Sequence, residues 1–280
     1  MVSVTIKRVL AIHDLCSFGR CSLTAAIPVI SALGSQVCPF PTALFSNNLT
    51  YGEFVSNDLT PFMADMMDKW EKLNLHFDAI YSGFLANAAQ TAVVREAVTR
   101  FAKDGQLVIV DPAMADDGQL YAVFDQSMVE EMKKLVAVAG LITPNYTEAC
   151  LLTDTPWRET APTRDELETL CRKLLALGPK QIIITSVPGA ANEIQVVSQS
   201  AGEDDFQIYA VPRIPFGTCG TGDIFTSVIT GCVLKGKALA ESTHIAADFL
   251  SEVIQATLDS GIDPRQGIQL EDKLPALLKL

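Results

Sequence analysis

Short apolar runs rich in β-branched residues alternate with longer amphipathic stretches along most of this sequence, and no other feature narrows its folding options as much. The runs at 8–13, 36–39, 79–82, 107–111, 140–143 and 181–185 are apolar almost throughout. That is the pattern of central strands covered on both faces, not of strands with one face in water. Between them, 59–73, 88–103, 125–138 and 164–177 carry apolar residues at helical spacing. Strands and helices in this order build right-handed βαβ units, so the expectation is a mostly parallel central sheet with helices on both faces, a three-layer α/β/α architecture. After 185 the pattern changes. Segments 193–198 and 206–211 read as an antiparallel pair joined by a polar turn, and the remainder from Thr221 reads as two long helices and a short one. The chain has 280 residues, 49% of them hydrophobic, and no repeat, low-complexity tract or flexible linker divides it. One domain over 1–280 is therefore expected.

In sheets of this kind ligands bind beyond the carboxyl ends of the strands. Polar residues gather at those ends: His13 and Asp14, Ser82 and Gly83, Asp111 and Pro112, Thr143 to Asn145, Thr185 with Ser186. The net charge of -12 argues against a nucleic-acid partner, because that binding depends on Lys and Arg neutralising phosphates. A membrane partner is not expected either: no basic amphipathic helix is evident, and the longest apolar stretch, 135–142, is too short to span a bilayer. The mixed, polar start from Met1 to Arg8 does not read as a secretion signal, and a cytoplasmic location is expected. The seven cysteines are scattered without Cys-x-x-Cys spacing, which reads as thiols in a reducing compartment.

The most informative segment is Phe216-Gly217-Thr218-Cys219-Gly220-Thr221-Gly222-Asp223-Ile224-Phe225. Its glycines free the backbone to turn tightly, and an apolar helical pattern follows at once. The amides of Gly220, Thr221 and Gly222 then lie at a helix N-terminus, where orphan N–H groups and the helix dipole favour an anion. The segment is not a Walker A loop, and it lies too late in the chain for a Rossmann fingerprint. Asp223 in the first helical turn has two readings of equal weight by spacing alone. One is a capping carboxylate worth about 0.5–2 kcal/mol. The other is a general base beside a phosphoryl-binding pocket.

Gly220-Thr221-Gly222-Asp223 resembles the C-terminal signature of the ribokinase superfamily, in the form found in pyridoxal kinases. Thr143-Pro144-Asn145-Tyr146-Thr147-Glu148 resembles that superfamily's Asn-x-x-Glu element, which organises Mg²⁺ and its waters. Val110-Asp111-Pro112 is similar to its Asp-Pro near metal and phosphates, and Thr185-Ser186 falls where such enzymes contact ATP phosphates. Phe18-Gly19, Phe45-Ser46-Asn47 and Tyr51-Gly52 extend the likeness through the N-terminal third, so that it covers essentially the whole chain. The resemblance implies a ribokinase-like fold and phosphorylation of the 5′-hydroxymethyl group of a B6 vitamer, with ATP and Mg²⁺. It makes Asp223 the base and Gly220, Thr221 and Gly222 the anion hole. Asp111, Asn145, Thr185, Ser186 and Thr218 fall to ATP, Glu148 and Asp111 to the metal, and Asp14, Ser46, Tyr51, Phe84 and Asp223 to a small heteroaromatic alcohol. Activation by a monovalent cation and a homodimeric state are common among such kinases, and no residue here marks either.

The departures from the pattern lie in the substrate pocket. Asp14 stands where pyridoxal kinases carry a serine, Leu49 where they carry a threonine, and Gly83-Phe84 replaces Gly-Tyr. A carboxylate at Asp14 suits a protonated ring nitrogen or an aminomethyl cation, which leads to an expectation that pyridoxamine is a good substrate. Its other reading is a turn-former after the first strand. Phe84 and Tyr51 serve equally as walls for a flat ring or as ordinary core. His13 reads as pocket lining before any acid–base role, and Cys219 has no assigned role. The competing functions are a hydroxymethylpyrimidine kinase, whose members usually have Cys at the place of Asp223, a sugar kinase, and a non-catalytic binding protein.

Overall fold

A computed structural model describes residues 5–103 and 105–280 of the chain. From the N-terminus run β1 (Arg8–Cys16), α1 (Ser22–Ala32), β2 (Gln36–Phe45), β3 (Ser56–Asp58), α2 (Thr60–Lys72), β4 (Ala79–Ser82), α3 (Gln90–Phe101) and β5 (Leu107–Val110). The two-residue strands β6 (Ala115–Asp116) and β7 (Gln119–Leu120) pair with each other and precede α4 (Gln126–Val136), β8 (Leu141–Ile142), α5 (Tyr146–Leu152) and α6 (Arg164–Ala176). Then come β9 (Gln181–Pro188), β10 (Glu193–Ser200), β11 (Gln207–Pro212), α7 (Thr221–Leu234), α8 (Leu239–Ser260) and α9 (Leu274–Leu277).

Nine strands form one sheet in the order β11-β10-β9-β8-β5-β4-β1-β2-β3. The six from β9 to β2 are parallel, and the antiparallel pairings are at the edges, β3 on β2 at one end and β10 with β11 at the other. The chain leaves β1 for β2 on one side and returns to β4 on the other. Winding therefore reverses at β1, and this switch point opens a crevice beyond the carboxyl ends of the strands.

Alternation along each strand sends side chains to two cores. Leu10, Ile12, Ile80, Val110 and Ile142 meet α2 to α6 on one face. Val9, Ala79, Tyr81, Ile109 and Leu141 meet α1, α7, α8 and α9 on the other. This is the expected three-layer α/β/α arrangement. No helix among the described residues is long and apolar enough to cross a membrane.

Several strands differ from the sequence reading. β1 continues to Cys16 and β2 to Phe45, past the expected ends at 13 and 39. Pro39 and Pro41 fall where β2 has β1 on one edge only, since β3 joins at Ala43, and a strand tolerates a missing N–H on a free edge. β3, β6 and β7 are too short to show a period. The added length of β1 contains a register shift between His13 and Leu15, which leaves Asp14 out of step with β2. Bulges of this kind re-aim a side chain, and here the re-aimed side chain is an acid.

Helix α7 lies close against the end of α1 through Gly231, where an added Cβ would come 2.6 Å from the Leu33 Cβ. Gly231→Ala is expected to cost about 1–3 kcal/mol of stability in a denaturant titration, as overpacking in a close-packed core does. An unchanged midpoint would show that α1 and α7 slide apart freely.

Candidate active site

The glycine-rich turn brings backbone amides together at the start of α7. Gly220 has φ +87° at the start of α7, and any Cβ there would run into the carbonyl oxygen of Arg20. Only glycine permits that approach. The first-turn amides of α7 have no acceptor within the helix. Asp111, at the carboxyl end of β5, stands beside them: a Cβ on Gly222 would lie 3.5 Å from its Oδ2. The turn is strapped to the C-terminal segment, with the Thr218 hydroxyl donating to the Pro264 carbonyl at 2.6 Å. The same segment holds the loop after β2, since the Asn48 amide donates to the Arg265 carbonyl at 2.6 Å.

Asp223 occupies the third position of α7, with its side chain 14% exposed. Its Oδ2 accepts the backbone N–H of Ser22 at 2.7 Å. Ser22 holds a second acid as well, for its hydroxyl donates to Asp14 Oδ1. The backbone of Ser22 is left-handed, φ +49°, a conformation that costs a non-glycine residue energy and is kept where surrounding contacts fix it. One residue thus spaces the two carboxylates. The other oxygen of Asp14 accepts the Cys16 thiol at 3.2 Å.

Asn145 and Glu148 form the capping box of α5. The Asn145 side chain accepts the Glu148 N–H at 2.9 Å, and Glu148 Oε2 accepts the Asn145 N–H at 2.8 Å. Glu148 Oε1 also takes the Met114 N–H at 3.0 Å, and the Asn145 amide donates to the Ala115 carbonyl at 2.7 Å. With both ends of its amide engaged, Asn145 works as the holder of Glu148.

Asp14, Asp111 and Glu148 are 3%, 6% and 2% exposed. Burial pushes the Glu148 carboxyl up to about 8 against the pull of its backbone donors. Asp111 is raised well above the usual carboxylate range by burial and then by the charges of Glu148 and Asp223. Burial raises Asp14 to about 6, although the Ser22 and Cys16 hydrogen bonds oppose it.

A cavity of about 820 Å³ joins these parts. Of the residues expected at the site, Asp14, Phe84, Asp111, Asn145, Glu148, Thr185, Ser186, Thr218 and 220–223 line it. Ser46 and Tyr51 do not. The Ser46 hydroxyl braces its own loop, donating to Asn47 at 2.6 Å and accepting the Val55 N–H at 2.9 Å. Tyr51 packs on Phe18, ring centres 5.7 Å apart, with the Arg265 guanidinium 4.8 Å from its ring centre. The apolar wall comes instead from Phe45, Leu49, Phe54 and Val123 beside Phe84. Cys16 and Cys21 join Cys219 in the lining. Arg265 is the one basic side chain among the described lining residues, and nothing in the local sequence marks it or Ser22.

The Asp14 carboxyl makes stability depend on pH. Its folded pKa lies above the unfolded value of 3.8, so its contribution is fully present below about pH 3.8 and is lost as pH rises through about 6. Asp14→Asn needs no proton. Relative to the unsubstituted chain, the variant is expected to gain up to about 3 kcal/mol between pH 3.5 and pH 8 in ligand-free denaturation. A stability difference that stays constant across that range would count against the buried acid.

The comparisons with known proteins agree with this geometry. The model of the phosphomethylpyrimidine kinase family matches residues 19–267. A curated pyridoxal kinase PdxY of Corynebacterium diphtheriae is 26% identical, the match covering 95% of this chain and 94% of the relative. The crystal structure of a putative phosphomethylpyrimidine kinase from Bacteroides thetaiotaomicron is 39% identical, with a TM-score of 0.95 over 99% of this chain and 96% of that one. An orthorhombic form of the same protein is described with pyridoxal. Pyridoxal kinase from Lactobacillus plantarum is 32% identical, with a TM-score of 0.90 over 98% of both chains. The fold is ribokinase-like, and a family match that runs from the end of β1 through the strap at 264–267 makes the chain a member of the phosphomethylpyrimidine kinase family.

Proposed function

We propose that the chain transfers the γ-phosphoryl group of ATP to the 5′-hydroxymethyl group of a B6 vitamer, with Asp223 as the base. One observation carries this reading. A single helical turn presents unpaired amides and, beside them, a carboxylate fixed in the cleft by the Ser22 N–H. The relatives named pyridoxal kinase and the Bacteroides structure with pyridoxal support the pyridine alcohol. The family's description favours a second reading, a pyrimidine alcohol, and ADP release measured with both alcohols separates the two.

In this mechanism the acceptor hydroxyl lies between Asp223 and the γ-phosphoryl group. Asp223 takes the hydroxyl proton as the oxygen attacks, and the amides of Gly220, Thr221 and Gly222 stabilise charge on the transferring group. Thr185, Ser186 and Thr218 line the cavity, and this reading assigns them to the ATP phosphates. Asp111 and Glu148 fit a hard cation. Both are buried oxygen donors whose carboxyls are raised by burial, Asp111 further by the charge of Glu148, and no Lys lines the cavity among the described residues. Mg²⁺ held there, directly or through water, supplies neutralisation of phosphate charge when bound.

Asp223→Asn is expected to retain nucleotide binding by calorimetry and to lose about 10²–10⁴-fold in turnover. Wild-type turnover in that variant would remove Asp223 from the mechanism. At the ring end of the cavity, the Asp14 carboxylate pairs with an aminomethyl cation or a protonated ring nitrogen. Steady-state kinetics are therefore expected to give pyridoxamine a kcat/KM at least equal to that of pyridoxal. If pyridoxamine is poorer by about tenfold, Asp14 does not contact a substrate cation.

A further inference from the structure

We propose that His13 is a positioning residue for Asp223, an inference that rests on the reading of Asp223 as the base. The His13 ring is fully buried, and its Nδ1 faces Asp223 Oδ1 at 3.6 Å. Among the described residues, neither ring nitrogen has a hydrogen-bond partner. Buried polar atoms without partners are costly, so a histidine left in this state and aimed at an acid points to a task.

The ring is held from two sides. Tyr81 meets it edge-on with centres 4.3 Å apart, and Gly83, just past β4, leaves no room for a Cβ beside it. The titratable groups around it are Asp14 on its own strand, Asp223 from α7 and the Tyr81 phenol from β4. A neutral imidazole carries one N–H, and its location follows from this arrangement. A proton on Nε2 would be a buried donor with no acceptor, and the Nδ1 lone pair would face a carboxylate oxygen. A proton on Nδ1 points at that oxygen and leaves only an acceptor unpaired. The geometry selects Nδ1–H.

Asp223 is then gripped at both oxygens, by the Ser22 N–H on Oδ2 and by His13 on Oδ1. Catalytic hydrogen bonds that are long in a free enzyme shorten when the substrate is seated. The alcohol proton passes to Oδ1. The alcohol oxygen forms its bond to phosphorus, and the bond from phosphorus to the diphosphate breaks with its electron pair staying on ADP. His13 keeps its own proton throughout.

The test uses the full-length enzyme. His13→Leu removes the donor and is expected to lower kcat by about 10–100-fold with KM for both substrates within about twofold. The acid limb of its kcat profile moves to higher pH, because a carboxylate that loses a donor holds its proton more tightly. His13→Asn places an N–H near the lost Nδ1 and regains most of the rate. In an Asp223→Asn background, His13→Leu adds no further loss, since the two side chains act as one unit. A His13→Leu enzyme with unchanged kcat and acid limb overturns the proposal, as does a His13→Asn enzyme equally slow. Nitrogen-15 spectra of the three histidine rings in the unsubstituted enzyme give a reading that needs no variant to fold. A protonated Nδ1 on His13 is expected, and an Nε2–H tautomer overturns the proposal. Full turnover of Asp223→Asn alone defeats the base assignment, and that result is separate from every His13 comparison.

Discussion

Burial of neighbouring carboxylates governs this cleft. Asp14, Asp111, Glu148 and Asp223 converge on one cavity, and three of them are almost completely withdrawn from water. In a medium of low dielectric such charges raise one another's proton affinity, and Asp111 and Asp14 register the charge of Asp223. The chain answers with small fixed dipoles rather than with lysine. Backbone N–H groups reach Glu148 from Met114, Ala115 and Asn145, and reach Asp223 from Ser22. The charge they leave uncompensated suits the proposed cation and the phosphates that would accompany it.

The fold holds these acids at fixed spacing because each is mounted on a different rigid element. Asp14 comes from the bulge in β1, Asp111 from the end of β5, Glu148 from a capped helix and Asp223 from the first turn of α7. The hydroxyls of Thr143 and Thr226, 2.8 Å apart, tie the end of β8 to α7 across the sheet. The apolar cores on either side resist sliding. Precision at the site is therefore a property of sheet packing, with loops contributing the walls.

Much of this was legible in the sequence. The central strands announce themselves as unbroken apolar runs, and the anion turn as glycines before an apolar helix. Asp111, Glu148 and Asp223 stand in short local motifs, and all three line the cavity. Other parts were not legible, for definite reasons. The bulge at Asp14 depends on a register between β1 and β2 that neither strand encodes alone. The left-handed backbone of Ser22 goes with hydrogen bonds to two acids distant from it in the chain or on another element, and Arg265 enters the cavity from 42 positions beyond Asp223. Tyr51 and Ser46 sit close in sequence to the lining residue Leu49, yet neighbouring contacts turn them out of the cavity.

The short segment at 264–266 grips both the turn proposed to hold phosphate and the loop beside the proposed ring pocket, through Thr218 on one side and Asn48 on the other. Asn48 and Thr218 lie 170 positions apart in the chain, yet their loops share one anchor of three residues. In the proposed mechanism, donor grip and acceptor recognition are thereby geared together. A drift in this anchor, far in sequence from any acid that does chemistry, would detune both halves of the enzyme in the same stroke.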